Sequence, residues 1–362
     1  MQYTVNDIAA ALINGAALSE NQLVLQLGQC RLSVQSNSDE LIAHLRHYFA
    51  HALGNPGEPD IQIIAIERDE PQLGIDFTDW KREPGKTGRK DSYADFTGAR
   101  LVRKVRTGMV FLQSEKHRIA AGACMQHDNQ VINFINAQYM NWLQQRDWLI
   151  CHAAGLVRHG HTLGIAGLSG GGKSTLMLHL LEQPDIAYLT NDRLFIRREN
   201  NEIQAAGIPK LPRINPGTIV HNPRLRPLID EAERNRLLAL PRDELWEIED
   251  KYDVMIEQLY GPGHIASDSP LRAFLVLNWQ RGSDAPLELK EADLFQRPDL
   301  LGAIMKSPGP FMQYTDGSFL MDHQELNPQP YLDLLRDIPV YEACGGINFE
   351  ALQRSVMQEL LA

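Results

Sequence analysis

The sequence predicts an α/β protein of two domains, and three observations carry that expectation. Residues 22–67 alternate strand-like and helix-like text; an apolar strand, a glycine-rich loop and a helix follow one another between Thr162 and Glu182; and 362 residues with 43% hydrophobic content suffice for one large or two modest cores. The glycine-rich loop taken alone would suggest a doubly wound parallel sheet.

The elements follow in order. MQYTVNDIAAALINGAALSE holds a weakly apolar patch without a basic lead-in and reads as a short helix, not a signal peptide. NQLVLQLG and CRLSVQS read as two short strands, DELIAHLRHYFAHAL has apolar residues at helical spacing, and IQIIAIE is a buried strand. The hydrophilic stretch DWKREPGKTGRKDSYADFTGARLVRKVRTG is punctuated by Pro and Gly. Near Asn133 the helical spacing returns and runs through NFINAQYMNWLQQRDWLI, which places the division between an amino-terminal domain, 1–147, and a carboxy-terminal domain, 148–362. In the second domain TLGIAG, IAYLT, RLFIRR and LRAFLVLNW are strand candidates, and KSTLMLHLLE and NFEALQRSVMQELLA are helix candidates. GIPKLPRINPGTIVHNPRLRPL is too rich in proline for regular helix or central strand and reads as an ordered, winding surface segment.

Composition narrows the function classes. A formal net charge of −11 argues against general nucleic-acid binding, which requires neutralising phosphates. No apolar run approaches the roughly 20 residues of a spanning helix, so no membrane role is expected. Cys30, Cys124, Cys151 and Cys344 are scattered without a CxxC pair, which speaks against structural zinc or a disulfide framework and for a reducing cytoplasm.

The chemistry concentrates in GLSGGGKST. Gly167 to Ser174 fits the G-x-x-x-x-G-K-[ST] pattern between a strand and a helix. Glycines, here Gly167, Gly170, Gly171 and Gly172 around Ser169, let backbone N–H groups wrap phosphate oxygens. The helix start adds its positive end, Lys173 places a point charge between the outer phosphates, and Ser174, followed by Thr175, offers a hydroxyl to magnesium. The expected ligands are therefore ATP and Mg2+.

Seventeen residues after Ser174, YLTNDRLFIR ends a strand at Asn191 and Asp192. A carboxylate there suits a second magnesium ligand or a general base; a plain turn between two strands would use the same residues. His152, in LICHAAGL, lies fifteen residues before Gly167 and reads equally as a core histidine or a catalytic one. Among the prolines, Lys210, Arg213 and Arg224 are candidate clamps on a transferring phosphate, or surface charges. Glu247, Glu249 and Lys251 read as a helix face with salt bridges. Lys81, Arg82, Lys86, Arg89, Lys90, Arg100, Arg103, Lys104 and Arg106, opposed by Glu83, Asp91 and Asp95, form either a docking surface for an acidic partner or a solvated loop, with Arg106-Thr107-Gly108 closest to function.

His152, GLSGGGKS and TND in this order resemble the HPr kinase/phosphorylase superfamily, in which a histidine, a hairpin, the loop and an acidic pair follow one another. KVRTGMVFL, NQVINFIN, CHAAGL, NDRL, PKLPRINPGT, EIEDKYDV and MKSPGPF, between about residues 100 and 311, are similar to its bacterial branch called HprK-related kinase B. The resemblance implies a phosphoenolpyruvate-carboxykinase-like nucleotide domain with a mixed sheet instead of the doubly wound one. It also implies a kinase that passes the γ-phosphoryl group to a hydroxyl, by analogy a protein serine, and a homo-oligomer. Catalytic roles would fall to His152, Asn191, Asp192 and Lys173, metal binding to Ser174 and Asp192, and substrate contacts to Lys210, Arg213 and Asn215. Two departures stand out. Asn191 occupies the position of the first aspartate and cannot accept a proton, so a base must be Asp192, with support from His152, or be absent. LPRINPGT replaces the glutamate and Arg-Gly signature of dephosphorylation, which leaves kinase-like chemistry. A nucleotide-binding regulator or scaffold, or an ATPase without an acceptor, remains the alternative.

Overall fold

A computed structural model describes residues 3–362 except 82–87, 169–170, 242–243, 246–247, 249, 281 and 323. The protein is mixed α/β, and the chain divides into two compact units: Met1–Trp148 with Ser307–Leu326, and Leu149–Lys306 with Asn327–Ala362.

In the first unit, Thr4 and Asp7 close a reciprocal capping box on α1 (Val5–Ile13), which buries Ile8, Ala9 and Leu12 and stops at Asn14 in the left-handed region. Strands β1 (Gln22–Leu27) and β2 (Cys30–Ser36) form a hairpin that reverses at Gly28, with φ at 56°. Ser38 caps α2 (Asp39–Tyr48), whose Leu41, Ile42 and Leu45 are buried. This crossover lets β3 (Ile61–Glu67) run parallel to β2. The rest of the sheet is β4 (Thr78–Asp79), β5 (Asp91–Phe96), β6 (Ala99–Lys104), β7 (Val110–Ser114) and β8 (Arg118–Gly122), in the order β1-β2-β3-β8-β7-β6-β5-β4. Helix α3 (Asp128–Gln144) follows; Asp147 then takes φ 64° and ends the helical course. The apolar Leu149 and Ile150, which the spacing had assigned to that helix, are a strand instead.

The basic stretch is also different from its expectation. It contains the β5–β6 hairpin, and its charges are largely paired: Arg89 with Asp79, Arg103 with Glu70, and Lys104 with Asp91. Arg100 is fully buried, donating to Asp95 and to the carbonyls of Pro310 (3.1 Å) and Leu320 (2.9 Å), with Trp80, Tyr93 and Phe319 around its guanidinium. Lys81, Lys90 and Arg106 remain exposed; Arg82 and Lys86 lie outside the described residues. Arg106-Thr107-Gly108 is the β6–β7 turn, with the amides of Thr107 and Gly108 donating to Lys104 O. These Arg100 bonds, together with Phe311 packed on Phe111 and Phe134, hold residues 307–326 in the first unit, although the sequence placed them in the second domain.

The second unit is built on β9 (Leu149–Cys151), β10 (Ala153–Arg158), β11 (His161–Gly167), α4 (Lys173–Leu180), β12 (Ile186–Thr190), β13 (Leu194–Glu199), β14 (Glu202–Ala206), β15 (Arg213–Ile214), β16 (Tyr252–Asp253), β17 (Asp268–Leu277), β18 (Glu288–Glu291) and β19 (Val340–Cys344). The sheet is mixed. Its order is β12-β10-β11-β17-β14-β13-β9, and β19 joins β17 with β18 beyond it. Within this sheet, among the described residues, only β11 with β17 and β17 with β19 run parallel. The doubly wound parallel sheet is thus not the fold: the β10–β11 hairpin, turning at His159-Gly160, puts an antiparallel neighbour against the loop strand. The proline-rich segment is less superficial than expected. It forms β15, paired with β16, and short helical turns at Pro216–Ile219 and Pro223–Leu228, with Leu211, Ile214, Ile219 and Leu225 buried.

Candidate nucleotide site

Strand β11 is buried along its length after His161 and delivers Gly167 to the edge where the chain leaves the sheet. There Leu168 O accepts the amide of Gly171 at 2.9 Å; Ser169 and Gly170 lie outside the described residues. Gly172 starts α4 with φ at 87°, and a Cβ on it would stand 2.8 Å from Phe349 Cζ, so both backbone and neighbours demand glycine. The Trp279 indole N–H donates to Gly171 O at 2.8 Å, and its ring meets Phe349 edge-on. The loop is pinned from outside by this aromatic pair.

Lys173 folds its ammonium back onto Gly167 O at 3.0 Å. Burial lowers its pKa, as do Lys306 and Arg193, against the opposing pull of Asp192. Ser174 Oγ donates to Asn191 Oδ1 at 2.8 Å. The amide therefore touches the loop hydroxyl directly. Thr175 Oγ1 lies 3.2 Å from Thr218 Oγ1, which ties α4 to the proline-rich segment.

His152 and Asp192 come together for a topological reason. β9 and β10 stand apart in the strand order yet are separated in sequence by His152 alone; β12 and β13 also stand apart and are joined by Asn191, Asp192 and Arg193. The sheet must curl for both short links to close. His152 Nε2 lies 3.0 Å from Asp192 Oδ1, and the His152 amide donates to Ile304 O at 2.7 Å. Arg193 binds the other carboxylate oxygen of Asp192. Burial would raise the Asp192 pKa, but the charge of Arg193, the hydrogen bond from His152 and the charge of Lys306 prevail and hold it far below the usual carboxylate range.

Lys210 belongs to the same field. Its desolvation, with Arg193 and Arg213 nearby, brings its pKa down to about 8 despite Asp192. Tyr188 donates to Lys210 O at 2.6 Å and fixes that backbone to β12. Arg213 faces Asp253 at 3.2 Å, and Asn215 carries a buried Oδ1 without a partner among the described residues. Arg224 is drawn elsewhere: it pairs with Glu182, donates to Leu259 O and lies against Tyr260. Lys251 lends its carbonyl to Arg213 beside β16, where a helix face was expected; Glu247 and Glu249 lie outside the described residues.

No family model and no curated protein sequence matches this chain. Among solved structures, the Hpr(Ser) kinase/phosphatase from Coxiella burnetii aligns over 59% of this chain and 90% of its own, at 14% identity and a TM-score of 0.29.

Three residues enter the site that the sequence did not single out: Arg193, Lys306 and Trp279. Arg193 adjoins the Asn191-Asp192 pair and MKSPGPF contains Lys306, but neither position shows a local pattern that marks a site. Among the described residues no three His, Cys, Asp or Glu side chains cluster as a metal cage. The oxygen donors present, Ser174 Oγ, Asn191 Oδ1 and the Asp192 carboxylate, form a hard set that suits magnesium, an ion that keeps waters and phosphate oxygens and needs few protein ligands. No helix among the described residues is long and apolar enough to cross a membrane.

Proposed function

We propose that the protein is a phosphotransferase that binds ATP at the Gly167–Thr175 loop and passes the terminal phosphoryl group to a hydroxyl acceptor. The observation that carries this reading is the juxtaposition of a Gly-Lys-Ser helix start with one carboxylate, Asp192, set among Lys173, Arg193, Lys306 and Lys210. A cation-rich wall opposite a strand-to-helix loop is suited to a polyphosphate and to the charge that spreads over its oxygens during transfer.

Within that scheme the Lys173 ammonium exchanges Gly167 O for phosphate oxygens, and the loop amides take the rest. Ser174, oriented by Asn191, and Asp192 would hold magnesium, which neutralises charge on the phosphate oxygens. Asp192 is too weakly basic to carry a proton through the reaction, so its other task is to orient His152, whose ring accepts a hydrogen bond from the acceptor hydroxyl or takes its proton. Transfer depends mainly on positioning and charge neutralisation, so a weak base suffices. A protein serine is the acceptor implied by the resemblance of the loop and its flanking segments.

Arg193 favours a second reading, a nucleotide-binding regulator without an acceptor, because it covers one oxygen of the carboxylate that magnesium would use. Incubation with γ-labelled ATP, magnesium and lysate of the source organism separates the two. A labelled acceptor that disappears with Lys173→Met is the expected result. Bound nucleotide without turnover supports the regulator, and unaltered nucleotide affinity in Lys173→Met removes the loop from both readings.

A further inference from the structure

The first unit contains a polar cavity of its own, about 150 Å³, lined by Asp60, Arg118, three residues of α3, Gln138, Asn141 and Trp142, and its C-cap Gln145. These four fall at i, i+3, i+4 and i+7, a single helix face, where an ordinary core helix would present apolar side chains. Gln138 is 2% exposed, and neither its Nε2 nor its Oε1 has a partner among the described residues. The buried Trp142 Nε1 is in the same position. Arg118 makes no side-chain hydrogen bond or ion pair among the described residues. Buried polar groups are nearly always satisfied, so several unmatched ones around one cavity point to an occupant that both accepts and donates.

We infer that this cavity binds a small oxyanion that also carries a hydrogen-bond donor, of the kind found in a hydroxycarboxylate or a hydrogen phosphate. Arg118, the Trp142 indole and the Gln138 amide N–H supply donors to its oxygens. Gln138 Oε1 and the Asp60 carboxylate, one oxygen of which accepts the Arg31 amide at 2.8 Å, receive its O–H. Arg146, stacked 3.8 Å from the Trp142 ring centroid, adds a second guanidinium to the lining, which faces Asp60 in the cavity and Glu115 near Arg118. The volume is well below the several hundred Å³ of sites for nucleotide-sized ligands. Asn141 Oδ1 accepts the Gln313 amide at 2.9 Å and Gln145 Nε2 donates to Gln313 O at 2.9 Å, so the helix face is anchored and its polar atoms are held ready.

Calorimetry of the full chain with sodium phosphate and, separately, sodium glycolate at fixed ionic strength tests this. Saturable binding of at least one of them is expected, weakened about tenfold or more in Trp142→Phe and in Arg118→Gln, as loss of one charge-assisted hydrogen bond implies. Phosphate stronger than glycolate assigns the tetrahedral anion, and the reverse assigns the carboxylate. The same titrations in Lys173→Met remove phosphate held at the nucleotide loop, and the binding that persists there belongs to the cavity, so failure here and failure of the nucleotide reading are distinguishable. If Arg118→Gln loses its near-ultraviolet circular dichroism, Trp142→Phe, which keeps the ring, decides alone. Heats that never saturate with either anion, or affinities indifferent to Trp142→Phe, mean a cavity filled by water and overturn the assignment.

Discussion

Asp192 has two oxygens and two partners, His152 and Arg193, and this arrangement sets its behaviour. Its carboxyl is more acidic folded than unfolded. As pH falls, the unfolded chain takes up the proton first, so the stabilisation present at neutral pH is lost as pH drops below about 4. Asp192→Asn should flatten that acid limb and remove magnesium-dependent transfer while the far-ultraviolet spectrum stays unchanged; an active variant would contradict the metal role. Lys210 has the opposite sign. Below pH 8 it is a charged group paying desolvation, and between about 8 and 10.5 the unfolded chain retains a proton the folded one has released, so its contribution to stability improves as pH rises. On the proposed function, a polyphosphate bound beside Lys210 would restore the ammonium. Nucleotide titration at pH 8 should therefore take up about half a proton, measured as a buffer-dependent heat, and Lys210→Met should abolish that dependence.

At the level of elements, the loop is held by a contact with the carboxy-terminal helix Phe349–Ser355 as much as by its own glycines. Gly172→Val should destabilise the protein by about 1–3 kcal/mol through its left-handed backbone and lower nucleotide affinity further by pushing on Phe349. Adding Phe349→Ala should recover the steric part in a chemical-denaturation series and leave the backbone part; complete recovery, or none, would show that one of the two causes is absent. Local text made α1 and α2 legible through their periodicity and caps, the first hairpin through its two short strand runs, and β11 followed by α4 through an apolar run that leads into the glycine-rich loop. The β5–β6 hairpin was not legible: its strands are rich in charge, and Glu70, which balances Arg103, lies outside the stretch. Leu149 and Ile150 continued the apolar spacing of α3, and only the turn at Asp147 separates them from it.

In the molecule as a whole, the chain leaves the second unit after Lys306, contributes 307–326 to the first, and returns at Asn327. Arg100 secures that excursion inside the first unit through Pro310 O and Leu320 O. Arg100→Met should therefore destabilise by about 3–5 kcal/mol, because Asp95 and two carbonyls lose their partner at once. It should also expose 307–326 to limited proteolysis. Cleavage no faster than in the parent protein would mean that the aromatic packing of Phe311 alone retains the segment.

By itself the sequence marked Gly167 to Thr175 as the stretch proposed to grip a phosphate, because it is contiguous and its chemistry needs only a strand before it and a helix after it. It also marked His152, Asn191 and Asp192 as candidates. Only the tertiary structure decided that Asn191 lies on Ser174, that Asp192 faces His152 and Arg193, and that Lys306 and Trp279 join them. The reason is that these meetings depend on a sheet curling until two short links close, and curvature is a property of many strands packing together, which no local stretch of residues encodes.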